Sequence, residues 1–184
     1  IGDMLMFTCA ARDFKAAYPD TRVNVVSTAK HIFDFNPHID RTLEVPEAEW
    51  IKIGPGKLTN SSNRIDWHFA NAFRVSMEDA LKIHISQGES RPDIWMTEEE
   101  YNAPRITKDP YWIIITDGEK GWGCKMYPFE RWQAFVSQNP DTLFYQLGSQ
   151  GDAHPRLQGK NVVDYIGKTE NRDTGIRDLF KLFL

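Results

Sequence analysis

Two places in this chain combine residue types that could do chemistry. The first is Gly2-Asp3, set directly before the apolar, helix-like run MLMFTCAARDF. A carboxylate at a helix start has two uses. It caps the helix by accepting a backbone N–H. Alternatively, held ionised by the helix dipole at the mouth of a sheet, it serves a ligand there. The second place is the stretch 117–127, DGEKGWGCKMY, which holds three glycines and two lysines between an apolar run and the helix start at Pro128. A pliable backbone with an ammonium beside a helix N-terminus suits a phosphate group. The alternative is a solvated loop.

Other apparent motifs fail. Gly167-Lys168-Thr169 ends like a phosphate-binding loop, but Val162 stands where that loop needs glycine. GEKGWG follows an apolar run without forming the dinucleotide fingerprint. Asn60-Ser61-Ser62 is a glycosylation sequon by letter only. The histidines, His31 and His38 among them, lack metal-ligand spacing, so no metal is expected. Cys9 and Cys124 lie far apart and suggest neither a disulfide framework nor a zinc site. Cys9 falls within an apolar run and reads as a buried thiol, which fits a reducing cytoplasm.

These residues need a scaffold, and the composition supplies one. The chain has 184 residues, 41% hydrophobic, 12% aromatic and 26% charged, with a net charge of -4. That is a globular composition, large enough for one good core or two small ones. The scattered lysines and arginines argue against a nucleic-acid partner. No stretch approaches the roughly 18 apolar residues of a membrane span.

The elements follow from periodicity. Met4, Phe7, Ala11, Phe14 and Tyr18 recur at helical spacing, with Arg12, Asp13 and Lys15 expected to face water. RVNVVS (22–27) and RTLEV (41–45) read as strands around the turn NPHID. Residues 54–64 read as loop. Phe69, Phe73, Met77, Ala80 and Leu81 form one face of a second helix, with Glu78 and Lys82 an i,i+4 pair. SQGESRP breaks regular structure, and WMTEEEYN reads as a strand end entering an acidic turn or short helix. The proline-bearing YNAPRITKDP suggests a linker, so the expected units are 1–103 and 108–184. Beyond it, YWIIIT (111–116) reads as a central parallel strand. PFERWQAFV reads as a helix with Phe129, Trp132 and Val136 inward, and TLFYQLG and NVVDYIG as strands. In the last helix Ile176, Leu179, Phe180 and Phe183 are expected inward. The alternation predicts an α/β fold with mostly parallel sheets.

The order of these stretches resembles glycosyltransferase family 9, the ADP-heptose:lipopolysaccharide heptosyltransferases. The resemblance lies in GDMLMFTCAARDFKAAYPDTRVNVVS with NPHIDR, then in YWIIITDG with KMYPFERW, FYQLGSQGD and NVVDYIGKT. It runs end to end, but residues 47–92 match poorly, and Tyr127 stands where the family commonly has Trp. Asp173-Thr174-Gly175 imitates the family's donor loop but precedes its apolar run, and Asp178 stands at the place of the loop's His.

The resemblance implies a GT-B-like fold of two Rossmann-like domains: an acceptor-side domain over 1–103 lacking its first strand, and the start of a nucleotide-sugar domain over 108–184. It implies inverting, metal-independent transfer of a heptose-like sugar from an ADP-type nucleotide diphosphate donor to a glycan or lipopolysaccharide-type hydroxyl. The donor is a substrate, and no cofactor is implied. Asp3 matches the base. Lys125 matches the cation facing the diphosphate, and Thr116 and Gly148 match positions near the nucleotide. The setting would be the bacterial cytoplasm, with peripheral contact at the inner membrane, and the fragment would be inactive alone. Two alternatives stand beside this reading. One is a sugar-nucleotide-binding relative without turnover. The other is a different GT-B-like enzyme, such as a sugar-nucleotide epimerase.

Overall fold

The computed structural model describes residues 2–27, 29–42, 50–56, 64, 68–116, 127–149, 155–168 and 175–183. The chain divides into two compact units, Ile1–Glu100 and Tyr101–Leu184. Each carries its own parallel sheet, which among the described residues has two strands in the first and three in the second.

In the first unit, helix α1 spans Gly2–Ala17. Strand β1 (Asn24–Val25) pairs in parallel with β2 (Arg41–Thr42), Asn24 opposite Arg41. A 3₁₀ turn at Lys30–Ile32 lies between them. Helix α2 spans Ala70–Leu81. Buried Phe73 receives the ring of Phe7 edge-on at 5.8 Å, and Phe7 also meets Phe33 at 6.0 Å. Small buried residues, Ala10 and Ala11 on α1 and Ala70 and Ala72 on α2, let helices approach closely. Cys9 is 3% exposed, and burial pushes its thiol pKa up, so it packs rather than reacts.

Two expectations about charged residues fail here. Asp13 does not face water. It is buried, and it accepts the Gly88 backbone N–H at 2.9 Å. Arg12 is also engaged: its guanidinium donates to the Asp93 carboxylate at 2.7 Å, to the Arg91 carbonyl at 3.1 Å and to the Glu89 carbonyl. Thr8 accepts the Asp93 N–H at 2.9 Å, and the Tyr18 hydroxyl donates to the His84 carbonyl at 3.1 Å. Residues 84–93 thus lie antiparallel along α1 as a strap held by side-chain bonds. That covers a second flank of the helix, which explains why Thr8, Cys9, Ala10 and Ala11 are all buried in sequence.

Helix α2 also departs from expectation. Glu78 pairs with Arg74 at 2.9 Å and accepts the Ile85 N–H at 2.8 Å. Lys82 instead terminates the helix in the left-handed conformation, φ 56°. Ala80 is exposed, because the inward face follows Phe73 and Met77. Residues 91–97 form no strand, and a short helix α3 follows at Glu98–Tyr101.

His38 sets a pH dependence. Its ring meets Trp95 edge-on at 6.4 Å, and burial lowers its pKa below the usual 6.5. Asp93 and Asp13 oppose that shift, while Arg12 and Lys15 reinforce it. The unfolded chain therefore holds the proton more tightly. This contribution to stability is present above the usual imidazole range and is lost as pH falls through it. Urea midpoints should fall between about pH 7.5 and about pH 5, and His38→Asn should reduce that fall. Asp40 does not confuse the window. The Val23 N–H holds its carboxyl below its usual 3.8, so it acts at lower pH.

In the second unit the strand order is β3-β4-β5, all parallel: β3 (Tyr111–Ile115), β4 (Leu143–Leu147) and β5 (Val162–Asp164). Helix α4 (Phe129–Gln138) covers one face, where Ile114, Val136, Phe144 and Leu157 pack with Phe129, Trp132 and Val162. Helix α5 (Gly175–Phe180) and the 3₁₀ turn Lys181–Phe183 cover the other, where Tyr145, Leu147 and Leu182 pack with Tyr111, Ile113 and Leu179. Alternating Phe144 and Tyr145 thus serve opposite cores. Asn161 ties the unit together. Its side-chain amide donates to the carbonyls of Val136, Asn139 and Thr142 at 2.9–3.2 Å.

Among the described residues the central strand is β4, not β3. Among those residues β3 pairs only with β4, and Trp112 and Ile115 are 63% and 57% exposed. The inward set at the chain's end also shifts: Phe183 is 67% exposed while Leu182 is 2% exposed. The chain passes from α to 3₁₀ geometry after Phe180, and Leu182 rather than Phe183 packs against Tyr145 and Leu147.

Candidate functional site

The carboxyl ends of parallel strands are where open α/β sheets bind ligands, because loops leave there on alternate faces. In the second unit Thr116 follows β3 and Gly148 follows β4. The structure brings their surroundings together through a residue the sequence reading missed. Gln146 on β4 is fully buried. Its Nε2 donates to the Thr116 hydroxyl oxygen at 3.0 Å and to the Pro155 carbonyl at 2.7 Å. Its Oε1 accepts the Leu157 N–H at 2.8 Å. One amide thereby anchors the end of β3 and the segment 155–157. The available signal was a lone amide in the apolar strand TLFYQLG, where an uncompensated polar group would be costly.

Backbone bonds extend the same edge. The Tyr165 N–H donates to the Gln146 carbonyl and the Gly167 N–H to the Gly148 carbonyl, each at 2.9 Å. Gly167 sits at φ 74°, a left-handed turn that glycine adopts without strain. Asp164 accepts the Ile166 N–H at 3.0 Å and pairs with Arg156. The edge is thus a tied set of turns around Thr116, Gly148 and Gly167. Lys125 lies outside the described residues, as does the rest of 117–126.

In the first unit Asp3 is exposed in the first turn of α1. Gly2 is the first helical residue, and a Cβ there would meet open space, so no tight turn requires glycine at this position. Beside this helix start lies a cavity of about 300 Å³ bordered by Met4, Phe7, Val25, Trp50, Lys52 and Phe73. It opens where β1 ends. Among the described residues no group of three or more histidine, cysteine or acidic side chains could hold a metal ion. Among those residues, too, no helix is long and apolar enough to cross a membrane.

No protein-family model matches the chain, and no curated protein matches it. A solved structure does: the crystal structure of the glycosyl transferase family 9 from Veillonella parvula, with a TM-score of 0.59 at 15% sequence identity. The likeness covers 91% of this chain and 66% of that one. The chain therefore spans about two thirds of that protein's length, and what they share at this identity is the fold: an α/β, GT-B-like arrangement built on parallel sheets.

Proposed function

We propose that the protein is a glycosyltransferase of the family 9 type, moving a sugar from a nucleotide diphosphate donor to an acceptor hydroxyl with inversion. The observation that carries this reading is the fold likeness over 91% of the chain to a family 9 glycosyl transferase. The order of sequence stretches around Asp3, Thr116 and Gly148 supports it independently. In this reading Asp3 takes the proton of the acceptor hydroxyl as its oxygen attacks the anomeric carbon. The bond from that carbon to the diphosphate breaks, and the electron pair leaves with the phosphate oxygen. Lys125 and backbone N–H groups stabilise the charge that develops there without a metal ion. Thr116 and Gly148 border the nucleotide. The donor is of ADP-heptose type, and the acceptor is a glycan of lipopolysaccharide type at the cytoplasmic face of the bacterial inner membrane.

The test is direct. The protein is incubated with ADP- and UDP-sugars and a lipopolysaccharide-core acceptor, and released nucleoside diphosphate is followed with and without chelator. Chelator-resistant release that depends on the acceptor supports the reading. Release without any acceptor, or none with any donor, overturns it.

Lys125→Ala should weaken nucleotide-sugar binding by about 1.5–3 kcal/mol, the worth of a charge-assisted contact. Lys120→Ala should do less, because Lys120 lies further in sequence from the helix start at Pro128. Calorimetric titration of both variants decides this. Equal losses would reduce the stretch to solvated surface.

A further inference from the structure

We infer that Gln146 is a positioning residue: by holding the Thr116 hydroxyl as an acceptor, it leaves the hydroxyl proton to donate to an oxygen of a bound nucleoside diphosphate. This rests on the reading of the second unit as a nucleotide-sugar site.

The argument begins with the amide's orientation. The Leu157 N–H can only donate and the Pro155 carbonyl can only accept, at 2.8 and 2.7 Å from the two ends of the Gln146 amide. Reversing the amide would set donor against donor and acceptor against acceptor. The neighbours therefore determine which end is nitrogen. That nitrogen has two protons. One goes to Pro155, and the other points at the Thr116 oxygen, 3.0 Å away. The hydroxyl must then receive, and its own proton is directed elsewhere.

Location gives this proton a use. Thr116 is 5% exposed and stands just past the carboxyl end of β3, next to the turn at Gly148 that follows β4. Among the described residues no acceptor takes its proton. A buried hydroxyl proton without an acceptor is a cost that a ligand oxygen removes. Gln146 is fully buried and so acts through Thr116 rather than by touching a ligand itself.

The experiment measures binding of ADP and of UDP by calorimetry, with melting curves alongside. Thr116→Val removes the hydroxyl and should weaken binding about tenfold, whereas Thr116→Ser should bind like wild type. Gln146→Glu presents acceptors at both ends of the side chain, so Thr116 must turn its proton inward. It should also weaken binding about tenfold. The double variant Thr116→Val/Gln146→Glu should be no weaker than either single one, because both remove the same donated bond. Additive losses, or a Gln146→Glu protein that melts lower but binds normally, overturn the inference and leave the nucleotide reading standing. Should Gln146→Glu fail to fold, wild-type NMR decides. A Thr116 hydroxyl proton protected from exchange and coupled to a phosphorus of bound ADP is expected, and its absence with ADP bound overturns the inference. A wild-type protein that binds neither ADP nor UDP overturns the nucleotide reading and this inference with it.

Discussion

Asp3→Asn is expected to cut glycosyl transfer by about 100-fold or more, the scale of general-base catalysis, with donor affinity and melting temperature nearly unchanged. The asparagine keeps the shape of the side chain but cannot take a proton. The structural cost should be small, because Asp3 is exposed on the first turn of α1 and its carboxylate accepts no hydrogen bond among the described residues. What it gives the helix is a favourable charge at the positive end of the dipole, worth about 0.3–1 kcal/mol at an exposed site. A base in this position relies on placement beside the acceptor hydroxyl more than on strength. Initial rates at saturating acceptor, with thermal melts of the same samples, separate the two roles. Retained activity with a lowered melting temperature would make Asp3 a helix-stabilising charge and place the base elsewhere.

Arg12→Ala should destabilise the protein by about 2–3 kcal/mol, among the larger effects available to one side chain. The guanidinium meets three acceptors on the strap, at Glu89, Arg91 and Asp93, and lies 3.6 Å from the Asp13 carboxylate. Removing it leaves Asp13 and Asp93, 8% and 18% exposed, without their cation. Arg12→Lys should recover only part of the loss, since an ammonium does not reproduce the planar fork that reaches several acceptors at once. Urea unfolding of the three proteins measures this. An alanine variant as stable as wild type would mean that packing alone holds residues 84–93 against α1.

Local pattern was enough for much of the fold. The spacing of Met4, Phe7, Ala11 and Phe14 marks α1, and that of Phe73 and Met77 marks α2, because a helix places such positions on one side whatever covers them. Pro128 before Phe129, Trp132 and Val136 marks α4 and its buried face in the same way. The apolar runs of β3, β4 and β5, separated by helix and loop stretches, mark a parallel sheet.

Periodicity is silent about what lies on the far side of an element, and there the reading went astray. Asp13 and Arg12 look like a solvated face until a segment more than seventy residues later supplies their partners, as in the Asp13 bond to Gly88. The run YWIIIT reads as central, yet strand order depends on which neighbour pairs with it, and β4 took that place. Of the candidate residues, Asp3 was singled out by its place at a helix start, and Thr116 and Gly148 only by the resemblance. The link between Thr116 and Pro155 through the Gln146 amide was not, since it needs three backbone segments in register at once. The sequence by itself determined where α1, α2, α4 and the strands β3, β4 and β5 lie, because these depend on bonds and spacing along the chain. Tertiary structure alone decided which polar groups were taken out of water and with what partners, because a buried hydrogen bond exists only after distant segments have met.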